Sequence, residues 1–594
     1  MKDLYRCLDQ YPPQLLEAIA AAWNRVAESV APEHAYTTRP DAESREAVER
    51  LAATMLSPAL LAAMVQSLSP GARDVLGQLV EEGGALPGHR LSVRYGAIRR
   101  LGPARLMREQ PWSQPDNVLE ELYYKGLIYR TYGSLGDFYG EVVLIAEQMQ
   151  APLAALGLAS GIEWIPAEKP ALVQRDGDAL VEDAVAVLAR IRRNQPRLSD
   201  EEEDDASENG QMEGIPALLR ALNMGTRLIG EASPERLSLL VRVLWRLRLV
   251  QEERRVLRPT VKAREWLRLP DARRRRTLLL AWRDDPTWNE LFFLPALRQA
   301  TLAGEVMTQP GHPVNARRVL LELVARHPVG QWISLDGLVQ MVKARRPDYL
   351  RPDGDYDSWA MIDAETGVSL HGFAAWDRIE GQLAVLILAG PLRWLGAVEI
   401  GSDEEQGAPT AFRLTPQGAA LLQSKGAPDL AAAESPAGEA AVPAATIDAN
   451  LLVTIPLHGT LYERYQLERF AEWQGQGKAA TYLITPESLW EGYNAGIRME
   501  QISRFLQRIT HDSVPPAVTA TLQAWGGRFG SVRLKRMVLL QTADEQTMKQ
   551  ITARADVRAL LGQRLSATAY LVEEQNMPLL IDLLKARGIW PLIG

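Results

Sequence analysis

The fold class is decided by a stretch that begins with SLSPGARDVLGQLVEEGG (residues 67–84) and ends with LIYRTYGSLGDFYGEVVLI (residues 127–145). Its first part has a Ser-Pro start and a Gly-Gly end, which together predict a capped helix. A basic stretch follows at 89–108, and PDNVLEELYYKG at 115–126 predicts an apolar helix. The last part predicts two strands around a glycine-rich turn. The expected order of elements is therefore helix, helix, helix, hairpin.

Helix, helix, helix, hairpin is the order of elements in a winged helix. Residues 215–267 and a longer stretch at 315–422 repeat this organisation without a tight sequence repeat. The end of the later stretch, EIGSDEEQGAPTAFRLTPQGAALL (399–422), resembles winged-helix regulators, in which FRLTPQG marks the strand that leaves the wing and the helix after it. Because winged helices also serve as protein-binding and dimerisation units, not every module need contact DNA.

The length and composition indicate several globular domains joined by two linkers. A chain of 594 residues suggests roughly three to five domains. Hydrophobic residues make up 46% and charged residues 24%, which is typical of folded rather than disordered proteins. Residues 199–214 (SDEEEDDASENGQMEG) are acidic and lack apolar periodicity, and residues 424–446 are rich in Ala, Pro and Gly. Neither stretch can build a core, so both are predicted to be linkers.

Residues 447–594 carry a different, α/β order of elements. LLVTIPLHG (451–459) predicts a strand, LYERYQLERFAEWQGQ (461–476) a helix and ATYLIT (480–485) a further strand. With the motifs YLITPESLW…AG, FLQRIT…VP and W…R-G-SVRL, this order resembles the N-terminal domain of XPB-type DNA helicases, which recurs in bacterial helicase-associated proteins. The upstream motifs RYGAIRRLGPARL and YYKGLIYR are similar to those proteins as well. One departure is Thr-Ile-Pro-Leu at 454–457, where the family usually has Gln-Pro-Asp, so roles that need those polar groups are not carried over.

The resemblance implies DNA engagement beside, or on behalf of, a helicase motor that this chain lacks. The sequence contains no G-x-x-x-x-G-K-[ST] loop, whose backbone amides and lysine cradle phosphates. The nearest candidate, GQGK at 475–478, continues with Ala479 and has Glu472 where the first glycine should be. We therefore expect no enzymatic activity and no cofactor, and a helicase acting as a separate partner protein.

The predicted fold class is α-rich and multidomain (α+β), with tandem winged-helix-like modules followed by a small α/β helicase-associated domain. The predicted domains, in chain order, are an N-terminal helical segment (1–65), module 1 (66–158), a helical connector (159–198), the acidic linker (199–214), module 2 with a basic extension (215–300), module 3 (301–423), the second linker (424–446) and the helicase-associated domain (447–594).

Arginines are the main candidates for contacts with DNA phosphates. The formal net charge of −8 argues against indiscriminate coating of nucleic acid, but the charge is distributed unevenly. Arginines far outnumber acids between positions 236 and 276, and Arg242 and Arg246 share one side of a predicted helix because they are four residues apart. The predicted DNA-binding residues are Arg236, Arg242, Arg246, Arg254, Arg255 and Arg258 in module 2, Arg94, Arg99 and Arg100 in module 1, and Arg533, Lys535 and Arg536 near the C-terminus.

In module 1 the basic residues precede the third predicted helix, which is itself acidic. That helix carries Asp116, Glu120 and Glu121 at or near its start. Carboxylates repel DNA phosphates, so the helix is expected to be a poor reader of a DNA groove. Contacts from this module are therefore expected from the stretch at 89–108.

Several other classes of protein are disfavoured by composition. Cys7 is the only cysteine, which excludes an intramolecular disulfide and a multi-cysteine zinc site. The seven histidines form no H-E-x-x-H motif, so no metal site is expected. No apolar run approaches the ~20 residues of a membrane helix, and the start of the chain lacks the order of a signal peptide. We therefore expect a cytoplasmic protein with no membrane contact and no small-molecule substrate.

Three functional hypotheses follow from these patterns. The leading one is a non-catalytic accessory factor that binds duplex or junction DNA through winged helices and supports an XPB-like helicase, in repair or in transcription. The second is a protein-interaction scaffold of a DNA-processing or defence complex, with little DNA contact of its own. The third is a transcription regulator, which would require sequence-specific operator binding.

Overall fold

The structure, a computed structural model, describes residues 3–32, 45–136, 138–158, 164–196, 220, 222, 224, 227–253, 256–299, 301–302, 305–306, 311–404, 407–423, 444–529, 531–532 and 537–593. The chain divides into two compact units, the first formed by Met1–Pro443 and Pro456–Arg469 and the second by Ala444–Ile455 and Phe470–Gly594. The predicted acidic linker and residues 424–443 of the second predicted linker lie outside the described residues. So do five predicted DNA-binding residues, Arg254, Arg255, Arg533, Lys535 and Arg536.

Among the described residues before module 1, four helices pack against that module. They are α1 (Leu4–Leu8), α2 (Pro13–Val30), α3 (Arg45–Met55) and α4 (Pro58–Gln66). Trp23 of α2 is fully buried, and its indole N–H donates a hydrogen bond to the carbonyl of Lys125 at 2.9 Å. No single helix among the described residues is long and apolar enough to cross a membrane. Only α3 and α4 taken together pass that test of length and composition, and they are bent by 73°.

Module 1 has the predicted capped helix and the predicted hairpin. Its elements are α5 (Pro70–Glu81), β1 (Ala85–Pro87), α6 (Gly88–Tyr95), α7 (Pro103–Glu109), α8 (Val118–Tyr124), β2 (Tyr129–Leu135), β3 (Phe138–Leu144) and α9 (Glu147–Ala155). The Ser69 hydroxyl accepts a hydrogen bond from the amide of Ala72 and so caps α5. Strands β2 and β3 pair antiparallel with Tyr132 opposite Glu141, and β1 completes a sheet in the order β1-β3-β2. The basic stretch at 89–108 contributes two helices, α6 and α7.

Module 2 has the predicted small hairpin, which links helices on either side. Its described elements are α11 (Pro234–Arg246), β5 (Val250–Glu253), β6 (Val256–Pro259), α12 (Val261–Leu267) and α13 (Asp271–Arg283). The predicted connector before it supplies β4 (Leu172–Gln174) and α10 (Ala179–Asn194). Ser233 caps α11 by accepting a hydrogen bond from the amide of Arg236. Most residues of α10 are buried, so this helix is part of a core rather than an exposed connection.

Module 3 is built around an antiparallel sheet in the order β10-β14-β13-β4. Its elements are β7 (Leu297–Gln299), β8 (Thr301–Leu302), β9 (Glu305–Val306), α14 (Pro313–Ala325), β10 (Ile333–Ser334), α15 (Leu335–Arg345), β11 (Met361–Asp363), β12 (Ser369–Leu370), α16 (Gln382–Ile387) between the π-helical turns Asp377–Gly381 and Leu388–Leu392, β13 (Val398–Ser402), β14 (Ala411–Leu414) and α17 (Pro416–Gln423). One continuous hydrophobic core runs through modules 2 and 3.

The buried ion pairs of this shared core include those of Arg317 and Arg351. Arg317 Nε is 2.9 Å from a carboxylate oxygen of Glu290, which also accepts a hydrogen bond from the indole of Trp282. Arg351 Nε is 2.7 Å from Glu380. Each buried charge has an opposite charge beside it, as the cost of desolvation requires. These arginines are therefore structural.

The second unit holds most of the C-terminal region. Its elements are β15 (Thr446–Ile447), β16 (Leu452–Pro456), β17 (Glu472–Gln476), β18 (Ala479–Leu483), α19 (Pro486–Asn494), α20 (Met499–Ile509), α21 (Pro516–Gly526), β19 (Met537–Gln541), α22 (Glu545–Thr552), α23 (Ala555–Arg558), β20 (Leu561–Ser566), β21 (Ala569–Glu573) and α24 (Met577–Lys585). The sheets have the orders β15-β16-β18-β17 and β19-β21-β20.

The predicted helix over residues 461–476 is wrong in its second half. Helix α18 covers only Leu461–Leu467, and Glu472–Gln476 forms β17, which pairs antiparallel with β18. The strand's backbone hydrogen bonds are made to β18, a partner that local periodicity does not reveal. The glycine-containing turn after Gln476 returns the chain as a hairpin, with the amide of Gly477 donating to the carbonyl of Ala479 at 3.0 Å.

Helix α18 packs within the first unit. Arg464 forms a bidentate ion pair with Glu182 of α10, with N–O distances of 2.6 and 2.7 Å, and both side chains are almost completely buried. The guanidinium of Arg192 lies 3.7 Å from the ring centroid of Tyr465, and that of Arg268 lies 4.0 Å from the ring centroid of Tyr462. The short segment Pro456–Arg469 is thus held by charged groups of α10 and by Arg268, directly after α12, as well as by apolar contacts.

Candidate nucleic-acid interface

The structure corrects the predicted role of Arg236. Its side chain is 0% exposed, and Nη1 lies 2.6 Å from the Asp183 carboxylate, which is equally buried. Asp183 also accepts hydrogen bonds from the amides of Ile229 and Gly230. A fully buried guanidinium cannot reach a phosphate, so Arg236 is a structural residue. The burial of Arg236 could have been predicted from the sequence, because Arg236 lies four residues before the apolar Leu240, which is buried, and therefore on the same helix face.

Arg242 and Arg246 share one side of α11, as predicted, but that side faces a carboxylate. Arg242 Nε is 2.8 Å from Asp285, and Arg246 Nη1 is 3.7 Å from the same group. Arg246 also donates a hydrogen bond to the carbonyl of Asp284 at 2.6 Å. Both guanidinium groups remain partly exposed. A phosphate would have to compete with Asp285 for them, so they are weak candidates for DNA contacts.

The Asp285 carboxyl titrates at an unusually low pH. Burial raises its pKa, but hydrogen bonds from Arg242 and from Thr287 outweigh burial and hold the pKa at about 2, below the ordinary value of 3.8. A group whose pKa is lowered by folding stabilises the fold above its unfolded pKa, and this stability is lost as the pH falls through the folded pKa. The relevant window is therefore between pH 4 and pH 2.

We expect Asp285→Asn to lower the free energy of unfolding at pH 7 by about 1–2 kcal/mol, because the ion pair with Arg242 is lost. The difference from the wild type should shrink between pH 4 and pH 2, and urea denaturation over that range measures it. Asp9→Asn, at an exposed carboxyl, is the control. A difference between Asp285→Asn and wild type that does not change with pH would contradict the assignment.

The other arginines of the 236–276 cluster are divided between buried and exposed positions. Arg274 and Arg275 are buried, and Arg276 donates a hydrogen bond to the carbonyl of Leu421. Arg258, another exposed member of the predicted set in module 2, lies 3.3 Å from Glu253 in the β5–β6 hairpin. The basic cluster is therefore only partly available to a ligand, because Arg236, Arg274 and Arg275 are buried whereas others, such as Arg248, Arg264 and Arg273, are exposed.

In module 1, Arg99 is also a structural residue. It forms two hydrogen bonds of 2.7 Å to Glu120, whose side chain is fully buried, and a 2.5 Å ion pair with Asp116. The Glu120 carboxyl is buried, which raises its pKa, but bonds from Arg99 and from backbone amides outweigh burial and leave the pKa lowered. Glu121 is likewise held by Ser69 and Lys125. The acids of α8 are therefore neutralised within the module.

The side chains of Arg94 and Arg100 differ in their exposure to solvent. Arg94 is partly exposed, with Asp74 at 3.7 Å and the carbonyl of Ala344 at 3.4 Å. Arg100 is far more exposed and lies 2.6 Å from Glu141 of β3. Surface ion pairs of this kind contribute little to stability, so a phosphate can replace the carboxylate at low cost.

Three exposed arginines of module 1 lie on α7 and on the loop before it. Arg100, Arg105 and Arg108 have side chains that are 76%, 61% and 76% exposed. Arg105 and Arg108 share one carboxylate, that of Glu109, at 2.6 and 3.5 Å. We call these three arginines the α7 face. The sequence places Arg105 and Arg108 in a basic stretch, but only the structure separates them from Arg90 and Arg99, which are bound to buried carboxylates.

Two exposed tyrosines lie on the hairpin of the same module. The side chains of Tyr132 on β2 and Tyr139 on β3 are exposed, and their ring centroids are 5.2 Å apart with the rings nearly perpendicular. Sequence reasoning did not single them out. The pattern that could have identified Tyr132 is the alternation of side chains in YRTYGSLGDFYG, which places it on one face of β2 with the polar residues Arg130 and Ser134.

One comparison with known proteins gives a match. Residues 445–566, about a fifth of the chain, match the family described as helicase conserved C-terminal domain. No curated protein matches this chain. The match supports a helicase-associated protein and a helicase-related role.

The matched region contains the sequence GQGK at 475–478. In the structure Gly475 and Gln476 end β17, and Gly477 and Lys478 form the turn that leads into β18. A phosphate-binding loop instead connects a strand to the N-terminus of a helix, where backbone amides surround the phosphates. Among the described residues, no group of three or more His, Cys, Asp or Glu side chains is arranged to hold a metal ion.

Proposed function

We propose that the protein is a cytoplasmic, non-catalytic accessory factor that binds DNA through the α7 face and supports an XPB-like helicase supplied by another chain. The observation that carries the proposal is the helicase family match at residues 445–566. The exposed arginines of the α7 face support DNA contact, because guanidinium groups bind phosphates in a bidentate manner.

The arrangement of elements in module 1 also supports this proposal. A helix, a short strand, further helices and a two-stranded hairpin follow one another, and the three strands form one sheet. That arrangement favours a winged helix, which commonly binds DNA. Module 3 has a comparable order, with a short strand between two helices and a closing β13–β14 hairpin. In module 1 the exposed positive charge precedes α8, so the proposed contact is mainly with phosphates rather than with base edges.

The test is fluorescence anisotropy of labelled duplex DNA with the wild type and with Arg100→Ala/Arg105→Ala/Arg108→Ala. We expect roughly tenfold weaker binding at low salt, and a slope of log K against log salt that is smaller by up to about 2.7, since each phosphate contact contributes about 0.9. The matched control, Arg45→Ala/Arg318→Ala/Arg326→Ala, removes three exposed charges elsewhere in the first unit. Equal binding by both triple variants would refute the α7 face as the contact. No wild-type binding at low salt would refute DNA binding.

A scaffold function is the second candidate, favoured by the internal pairing of Arg99, Arg236 and Arg242 with carboxylates and by the net charge of −8. A tagged protein that captures a helicase equally well before and after nuclease treatment, and that binds no DNA itself, would favour this alternative.

A further inference from the structure

The β2–β3 hairpin carries an aromatic pair that the fold does not use for its core. Tyr132 and Tyr139 are each 69% exposed, although large aromatic rings are usually more buried. Residue Tyr132 is opposite Glu141, and Tyr139 is opposite Ser134, so both rings project from the same face of the hairpin. These two rings in contact with each other form an aromatic surface on the exposed part of the hairpin.

Positive charge lies on the same face of the hairpin. The carboxylate of Glu141, opposite Tyr132, is bound by exposed Arg100 at 2.6 Å. Arg130, two residues before Tyr132, also belongs to this face, and its guanidinium donates a hydrogen bond to the carbonyl of Ile98. Two arginines and one glutamate therefore lie on or beside the face of the hairpin that carries the aromatic pair. An apolar ring surface beside an excess of positive charge is complementary to a nucleotide, which combines a flat base with an anionic phosphate.

The other face of the hairpin packs against α6, which is bound to module 3. The ring of Phe138 contacts His89, with ring centroids 5.0 Å apart, and His89 Nε2 is 3.0 Å from the carboxylate of buried Asp348. Arg90 binds the same carboxylate at 2.9 Å. The hairpin is therefore held in place before any ligand binds, so stacking on the tyrosines requires little additional ordering.

We infer that Tyr132 and Tyr139 form a stacking platform for an unpaired base of DNA, so that the protein prefers forked DNA over a plain duplex. The inference rests on the proposed function, because it assumes that the α7 face holds the duplex. Arg100 belongs to both surfaces, which places the platform beside the proposed phosphate contacts. Within a duplex the bases are already stacked on each other, and only an unpaired base has a free face for an aromatic ring.

The test compares duplex DNA, forked DNA and a single-stranded oligonucleotide by anisotropy, with the wild type and with Tyr132→Ala/Tyr139→Ala. We expect the double alanine variant to lose about tenfold in affinity for the fork and the single strand, and to change by less than about twofold on duplex. Tyr132→Phe/Tyr139→Phe keeps the rings and should bind the fork like the wild type. Tyr5→Ala, at an exposed tyrosine on α1, is the control.

Direct contact is measured with 2-aminopurine placed at the first unpaired position of the fork. Its fluorescence should change on binding to the wild type and to the Phe variant, but not to the Ala variant. Duplex binding without a fork preference, or equal losses on fork and duplex in the Ala variant, would overturn the inference while leaving the proposed function intact. Loss of helicase capture without any change in DNA binding would show that the tyrosines contact protein instead. No DNA binding by the wild type would overturn both.

Discussion

Arg236→Met is expected to lower the free energy of unfolding of the first unit by about 3–5 kcal/mol, because it leaves the buried Asp183 carboxylate without its opposite charge. Methionine has a similar length and keeps most of the packing of the aliphatic stem, so the effect comes mainly from the lost charge. The hydrogen bonds from Ile229 and Gly230 to Asp183 satisfy part of the carboxylate but do not neutralise it. Chemical denaturation followed by tryptophan fluorescence measures the change.

The matched control for this prediction is Arg258→Met. Arg258 belongs to the same module and was predicted from sequence to have the same role, but it is exposed and pairs with exposed Glu253. Loss of an exposed pair costs about 0–1 kcal/mol. Equal effects of the two substitutions, or weakened DNA binding by a stably folded Arg236→Met protein, would contradict the structural role of Arg236.

Arg464→Met is expected to release α18 from α10 and to cost about 3–5 kcal/mol, because Glu182 then remains buried without a partner. Arg464→Lys should be less destabilising than Arg464→Met but still less stable than the wild type. An ammonium group keeps the charge but cannot make the two parallel hydrogen bonds of the guanidinium to Glu182. Hydrogen exchange resolves the effect along the chain. The amides of Leu461–Leu467 should exchange faster than in the wild type, and those of α5 in module 1 should not change.

Arg469→Met is the control for Arg464, because it lies in the same segment and is exposed, with a hydrogen bond only to Gln466 of that segment in the described contacts. Glu182→Gln with Arg464→Met completes a double-mutant cycle, and the coupling energy separates the pair from its surroundings. Unchanged exchange in α18 of Arg464→Met would show that apolar contacts of Leu461 and Tyr465 hold the segment without the ion pair.

The parts of the fold that were predicted correctly are those specified by neighbouring residues. Ser69 and Pro70 mark the start of α5 through a local hydrogen bond, and the turn around Gly136 sets the β2–β3 hairpin. These signals act over a few residues, so they can be read without knowing the tertiary structure. The predicted helix at 461–476 failed in its second half because β17 exists through its pairing with β18, and strand formation depends on such partners more than on intrinsic preference.

The candidate interface was predicted less well than the fold. The sequence shows a dense arginine cluster at 236–276, yet Arg236 is buried and Arg242 is bound to Asp285. The exposed arginines of the α7 face belong to a stretch that the sequence also marked as basic, although only Arg100 of these three was included among the predicted DNA-binding residues. Charge density along a chain therefore does not show which charges are available to a ligand.

The sequence by itself determined that this is a multidomain, mixed helical and sheet protein with a helicase-related C-terminal region, since composition, caps, turns and motifs are local properties. Only the tertiary structure decided which arginines are free. For many of the other arginines, the neutralising carboxylate comes from a distant part of the chain, as Glu182 does for Arg464 at a separation of 282 residues. The physical reason is that folding brings these charges together out of water, where the low dielectric makes pairing obligatory and leaves outward-facing groups such as those of the α7 face for other molecules.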